Sequence, residues 1–142
     1  MKIIESELNK NVIVSHKIDI GYLHFFESFV VSEINEGRHF CYDSSYDHLS
    51  LISDFYGTEQ PFGYISNRVN TFSTEAIDLP KLLKSLNNLV LISVVVYTHF
   101  DSINIDLEKK FCQVPYKGFD NLIESYNYTN NFIKQVKNNI LA

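Results

Sequence analysis

Leu89-Val90-Leu91-Ile92-Ser93-Val94-Val95-Val96-Tyr97 is the stretch on which the fold turns. Apart from Ser93 its residues are apolar and largely β-branched, without polar–apolar alternation, so a strand here is apolar on both faces. That pattern belongs to a strand in the middle of a largely parallel sheet, shielded by other elements on both sides. The run is about half the length that a membrane-spanning helix requires, so no membrane span is expected.

Working outward toward the N-terminus, Leu79, Leu82, Leu83 and Leu86 form one helical stripe that ends at Asn87-Asn88. Asp78 is the expected cap of that helix, with Pro80 tolerated in its first turn. Pro61 introduces a short strand over Phe62 to Ser66, followed by a long polar connection from Asn67 to Asp78. Before that strand, Leu49, Ile52, Phe55 and Tyr56 recur at helical spacing between the cap candidates Asp43-Ser44-Ser45 and the stop at Gly57. The first third is β structure: Val12 to Val14, then Ile18, Ile20 and Tyr22, then Leu23 to Phe26 and Phe29 to Ile34. This makes at least one hairpin, turning at Glu27-Ser28 and closing at Asn35-Glu36-Gly37, where Gly37 supplies a positive φ. Residues 1–17 read as an N-terminal extension or an added strand.

Toward the C-terminus, Asp101 or Ser102 opens a third helix through Ile103, Leu107 and Phe111. Val114 to Tyr116 is a short strand that Pro115 assigns to an edge. Asp120 is the expected cap of a last helix, in which Leu122, Tyr126, Thr129, Ile133 and Val136 share a face. The expected fold is α/β: a single domain over 1–142, an N-terminal β-hairpin, then alternating βα units in a mixed, mostly parallel sheet with crossover helices.

Composition narrows the function classes. The chain has 142 residues, 45% of them apolar and including 11 Phe and 9 Tyr, which is enough to bury one core but not two. A formal net charge of -5, with Lys and Arg scattered, opposes a phosphate backbone, so no nucleic-acid partner is expected. The first ten residues are mixed polar and charged, unlike a secretory leader, and the expected location is cytoplasmic. The two cysteines, Cys41 and Cys112, are far apart in the chain and read as reduced thiols. The sequon Asn127-Tyr128-Thr129 falls inside a helical segment and reads as chance.

Motifs for chemistry are sparse. The five glycines form neither G-x-G-x-x-G nor a Walker loop, which excludes a dinucleotide or P-loop enzyme. His39, Cys41, Asp43, Asp47 and His48 include zinc-ligand types, but their spacing matches no metal motif. Nucleophilic catalysis would need a convergence in space such as Cys112 with His99, and no nucleophile elbow G-x-S-x-G is present. His24-Phe25-Phe26 with Phe29 could be a base-stacking platform, yet Glu27 and Glu33 adjoin it and core packing is the stronger reading. No catalytic residue, metal or cofactor is assigned.

The most suggestive segment is the end of the strand that begins at Phe62. Ser66, Asn67, Arg68, Asn70, Thr71, Ser73 and Thr74 bring hydroxyls, amides and a guanidinium to the edge where open α/β sheets bind ligands. Arg68 could grip a carboxylate or phosphate; against this stands pairing with a nearby acid, with Asn67 and Asn70 making turns.

This element order resembles the STAS/SpoIIAA-like fold, which is related in shape to anti-sigma-factor antagonists and bacterial SEC14-like domains. Phe29-Val30-Val31-Ser32-Glu33-Ile34-Asn35-Glu36-Gly37 resembles small STAS-like proteins of Bacteroidetes-type bacteria. Phe55-Tyr56-Gly57, followed by Pro61-Phe62-Gly63-Tyr64-Ile65-Ser66-Asn67-Arg68, carries the same likeness. Antagonists of that family place a phosphorylatable serine in a D-S-[ST]-G-type motif after the third strand. The corresponding connection here, Arg68 to Asp78, lacks that motif, although Ser73 or Thr74 occupies the topological position. The resemblance implies a non-enzymatic regulatory or interaction domain that binds a protein partner, a homodimer included, through Asn67 to Asp78 and the neighbouring helix. Its SEC14-like side implies the alternative, a carrier of a small apolar ligand or lipid between helices and sheet; an enzyme is the third reading.

Overall fold

A computed structural model describes residues 1–141. Six strands form the main sheet: β1 (Val14–Ile18), β2 (Gly21–Phe25), β3 (Phe29–Ile34), β5 (Phe62–Asn67), β7 (Leu89–Val95) and β8 (Tyr116–Phe119). They lie in the order β1-β2-β3-β5-β7-β8. The first three are antiparallel neighbours and the last four run parallel, so the expected mixed, mostly parallel sheet is what forms. Two further strands, β4 (His39–Phe40) and β6 (Ser73–Thr74), pair with each other as a small parallel ribbon.

Helix α1 (Tyr46–Tyr56) joins β3 to β5, α2 (Leu79–Lys84) joins β5 to β7, and α3 (His99–Phe111) joins β7 to β8. The parallel strands are added in one direction, and a crossover of constant hand then keeps returning on the same side of the sheet. All three helices accordingly pack one face, where Ile52, Tyr56, Leu86 and Ile105 meet Phe25, Val30, Phe62, Ile92 and Val94. The opposite face is closed by α4 (Leu122–Leu141) and by two short 3-10 turns near the N-terminus, which bring Ile3, Leu8, Leu122 and Tyr126 onto Phe29, Val31, Ile65 and Val95. Residues 1–17 therefore contribute both a cover and strand β1. Burying Phe25, Phe29 and Phe62 completely is worth about 1.5–3 kcal/mol each.

The hairpin turn falls at Glu27-Ser28 as expected, with the Phe26 amide donating to the Phe29 carbonyl. Gly37 and Gly57 take the left-handed conformations the turn and the helix stop require, at φ 75° and 69°. Three expectations shift. β7 is an interior strand but the next to last, because only one crossover follows it. The strand expected at Val114 to Tyr116 begins at Tyr116, since Pro115 has no amide to give a ladder; it does lie on the edge. Helices α3 and α4 are capped by Thr98 and Asn121, whose side-chain oxygens accept from the Asp101 and Glu124 amides, while the Asp78 carboxylate accepts from the Tyr42 amide instead of capping α2.

Candidate functional site

Strand alternation sends the residues at the end of β5 to opposite faces of the sheet. Asn67 points to the α4 face, where its Nδ2 donates to Glu33 Oε2 at 2.7 Å and its Oδ1 accepts from the Tyr97 hydroxyl at 2.7 Å. Ser66 and Arg68 point to the α3 face. There the guanidinium makes a bidentate pair with Glu108 at 2.7 and 2.6 Å, its Nε donates to Ser66 Oγ, and the Phe72 ring lies 5.2 Å away. The Tyr116 hydroxyl adds a bond to Glu108 at 3.2 Å. Burial by itself would lower the Arg68 pKa; Glu108 outweighs it and holds the group above its ordinary value.

The connection after β5 is not a free loop. Asn70 donates to the Ile34 carbonyl, the Thr71 amide donates to Glu36, and β6 runs beside β4 with His39 opposite Ser73. Thr71 and Ser73 are exposed, Asn70 is half-buried, and Thr74 turns its hydroxyl inward, where it has no partner. The seven residues singled out from sequence thus divide among two buried networks, an exposed ribbon and a cavity. They are not one site, and Arg68 is already occupied. The physical reason is topological: with all three crossovers on one side, no reversal of strand order opens a crevice at the ends of the parallel strands.

The cavity lies between the sheet and α1 and α2. It measures about 70 Å³, with Leu79, Leu82, Leu83 and Leu86 as one wall and Ser32, His48, Tyr64, Ser66 and Thr74 among its polar lining. His48 Nε2 is 2.7 Å from the Tyr64 hydroxyl, and burial holds its pKa down at about 3, so the ring is neutral. A wider groove of about 320 Å³ lies outside it, shares Arg68, Phe72, Thr74 and Glu108 with the cavity, and is bordered by Phe100 and Leu107 of α3.

Helix α3 is built with its polarity reversed. Asp101 and Glu108 are buried, and Ile105 and Cys112 pack on the core. Phe100, Ile103, Leu107 and Phe111 stand 60%, 57%, 51% and 37% exposed. Their spacing keeps them on one stripe, roughly 120° round the helix from the buried residues. Helical spacing revealed this stripe; burial of the acids Asp101 and Glu108 decided that it faces solvent.

Other groups raised by the sequence separate in space. His99 is the first residue of α3 and Cys112 follows its last, which puts about 20 Å between them. Burial raises the Cys112 thiol, whose S–H donates to the Val114 carbonyl. His48 points into the cavity, whereas exposed His39 contacts Ser73 at 2.7 Å and Glu75 at 3.5 Å on the ribbon. Phe25, Phe26 and Phe29 are core residues.

One arrangement was not legible in the sequence. Ser15 Oγ lies 2.7 Å from His24 Nδ1, and His24 Nε2 lies 2.9 Å from Glu33 Oε1, across three adjacent strands. The order resembles an acyl-transfer triad, but the ring is turned the other way, with the carboxylate on Nε2. None of the three borders either the cavity or the groove, and the Glu33 carboxylate also accepts from the Ile3 amide and from Asn67, as a structural tie does.

Among the described residues, no helix is long and apolar enough to cross a membrane. Comparison with protein-family models, curated proteins and solved structures returns no match to this chain, so the STAS-like resemblance rests on its own sequence and element order.

Proposed function

We propose that the chain is a non-enzymatic interaction domain of STAS-like type, and that its docking face is the outward stripe of α3 with the adjoining 71–77 segment. The observation that carries this reading is the contiguous row Phe100, Ile103, Leu107, Phe111, beside which Ile77 is also exposed. Scattered apolar residues on a surface need no explanation; four in register on a helix that buries two of its three acids do.

The occupant this stripe fits is a second copy of the same chain. Its order is aromatic, aliphatic, aliphatic, aromatic, which reads the same in both directions. Two such helices crossing antiparallel about a two-fold axis would set Phe100 against the partner's Phe111 and Ile103 against the partner's Leu107. Eight half-exposed side chains offer about 6–12 kcal/mol of burial, most of which the cost of association offsets, so a weak dimer with a Kd on the order of a millimolar is expected. The absent D-S-[ST]-G motif leaves Ser73 as the exposed hydroxyl on the neighbouring ribbon, so phosphorylation is not needed for this reading.

Sedimentation from about 0.1 mM to a few millimolar should show a monomer–dimer equilibrium. Ile103→Asp with Leu107→Asp should abolish it while changing folding stability by no more than about 0.5 kcal/mol, as surface substitutions do. A wild-type chain that stays monomeric throughout, or a variant that still dimerises, would remove the proposal.

A further inference from the structure

We infer that the cavity between the sheet and α2 is a binding site for a small neutral amphiphile: a body of a few carbons against the leucine wall, and one hydroxyl or amide at the Ser32, His48 and Thr74 end. The inference does not depend on the docking reading, since it draws on the inner lining and not on the α3 stripe.

Four buried side-chain polar atoms among the described residues have no hydrogen-bond partner: Ser32 Oγ, His48 Nδ1, Thr74 Oγ1 and Ser125 Oγ. Three of the four line this one cavity. They come from three separate elements, β3, α1 and β6, and Phe40 ties two of them together: it pairs with Thr74 across the ribbon and sets its ring 5.0 Å from that of His48. Ser32 lies beside Tyr64, which occupies His48 Nε2, without completing a hydrogen bond to it. Native domains pair most such groups, so three orphans around one space point to something that fills it.

The rest of the lining limits what that can be. Arg68 and Glu108 neutralise each other in a bidentate pair, and the imidazole carries no charge near neutral pH, so the cavity offers no net charge to an ion. Ile34, Ile92 and the α2 leucines present no polar atom, and a water lying against them lacks the two to four partners that buried waters hold. A molecule with an apolar body and one polar end satisfies both parts. Phe72 and the Arg68–Glu108 pair stand between the cavity and the outer groove, and Thr74 borders both, which marks the route of entry.

The probe is a series of short alcohols, ethanol through 1-butanol, titrated into the full chain and followed by methyl NMR. Ile92, Ile34 and Leu86 should show saturable shifts while exposed Ile140 does not. Thr74→Val, which keeps volume but removes a hydroxyl at the ribbon, should weaken binding severalfold. Ser32→Ala supplies the same test from the sheet side should the first variant fold poorly. Shifts that rise without saturation, that appear equally at Ile140, or that are indifferent to both substitutions would overturn the inference and leave the cavity to water.

Discussion

On the face covered by α4, polar groups form a chain that runs from exposed Ser15 through buried His24, Glu33 and Asn67 to half-exposed Tyr97, and Ser125 Oγ, buried on α4, is without a partner but does not line the cavity. Ser93 and Thr129 add a buried bond at 2.8 Å between β7 and α4. On the face covered by α1 to α3, Arg68 and Glu108 are satisfied, but Ser32, His48 and Thr74 leave atoms unpaired around a cavity. The same sheet thus carries one face whose polar network serves mainly to fasten the N-terminal segment and one where three unpaired atoms gather around a single cavity. The lesson is that buried polarity does not by itself mark a site; unsatisfied polarity beside empty space does.

Acid should separate the two faces most clearly. The unfolded His48 ring takes up a proton near 6.5, whereas the folded ring resists until about 3. The unfolded state therefore binds more protons between those values, and stability contributed by the neutral ring falls as pH falls, by about 5 kcal/mol if the whole window is crossed. Glu33 acts lower. Burial raises its carboxyl, but bonds from His24, the Ile3 amide and Asn67 outweigh this and hold it below its ordinary 4.5. Its contribution is thus present above 4.5 and lost as pH drops through the lowered folded value. Urea unfolding across pH should lose its slope between 6.5 and 4.5 in His48→Gln, and below 4.5 in Glu33→Gln. If both variants change the same window, the faces are not independent.

Breaking the charge pair on the cavity face comes next in size. Arg68→Ala leaves Glu108 buried with only the Tyr116 hydroxyl, at an expected cost of about 3–5 kcal/mol. Arg68→Met combined with Glu108→Leu should lose less than either single change, because no charge is stranded. Equal losses in single and double variants would mean that packing, not the unpaired charge, sets the cost.

The smallest of the three effects sharpens the α4 side. Asn67→Ala removes a donor from Glu33 and an acceptor from Tyr97, and should cost about 1–3 kcal/mol in equilibrium unfolding while leaving alcohol shifts at Ile92 unchanged. Any change in those shifts would show that the faces communicate through the sheet.

Much of the architecture was legible from local pattern. The apolar run at Leu89 to Tyr97, interrupted only by Ser93, the turn at Glu27-Ser28, and the helix ending at Gly57 each depend on propensity and periodicity, which act over a few residues. The segment from Ser66 to Thr74 also stands out in the sequence, but as a single polar edge. Strand alternation separates Asn67 from Arg68, and the pairing of β6 with β4 ties the loop down; neither partner can be inferred from the segment's own residues.

The sequence by itself determined an α/β chain with one buried parallel strand run and a helix bearing Ile103, Leu107 and Phe111, because spacing along a chain dictates which side chains share a face. Only the tertiary structure decided which of those faces meets the core. Glu108 finds Arg68 across 40 positions and Glu33 finds Asn67 across 34. A buried charge must go where its partner is, so the pairing of Glu108 with Arg68 fixes which side of α3 turns inward and leaves its apolar stripe to the solvent.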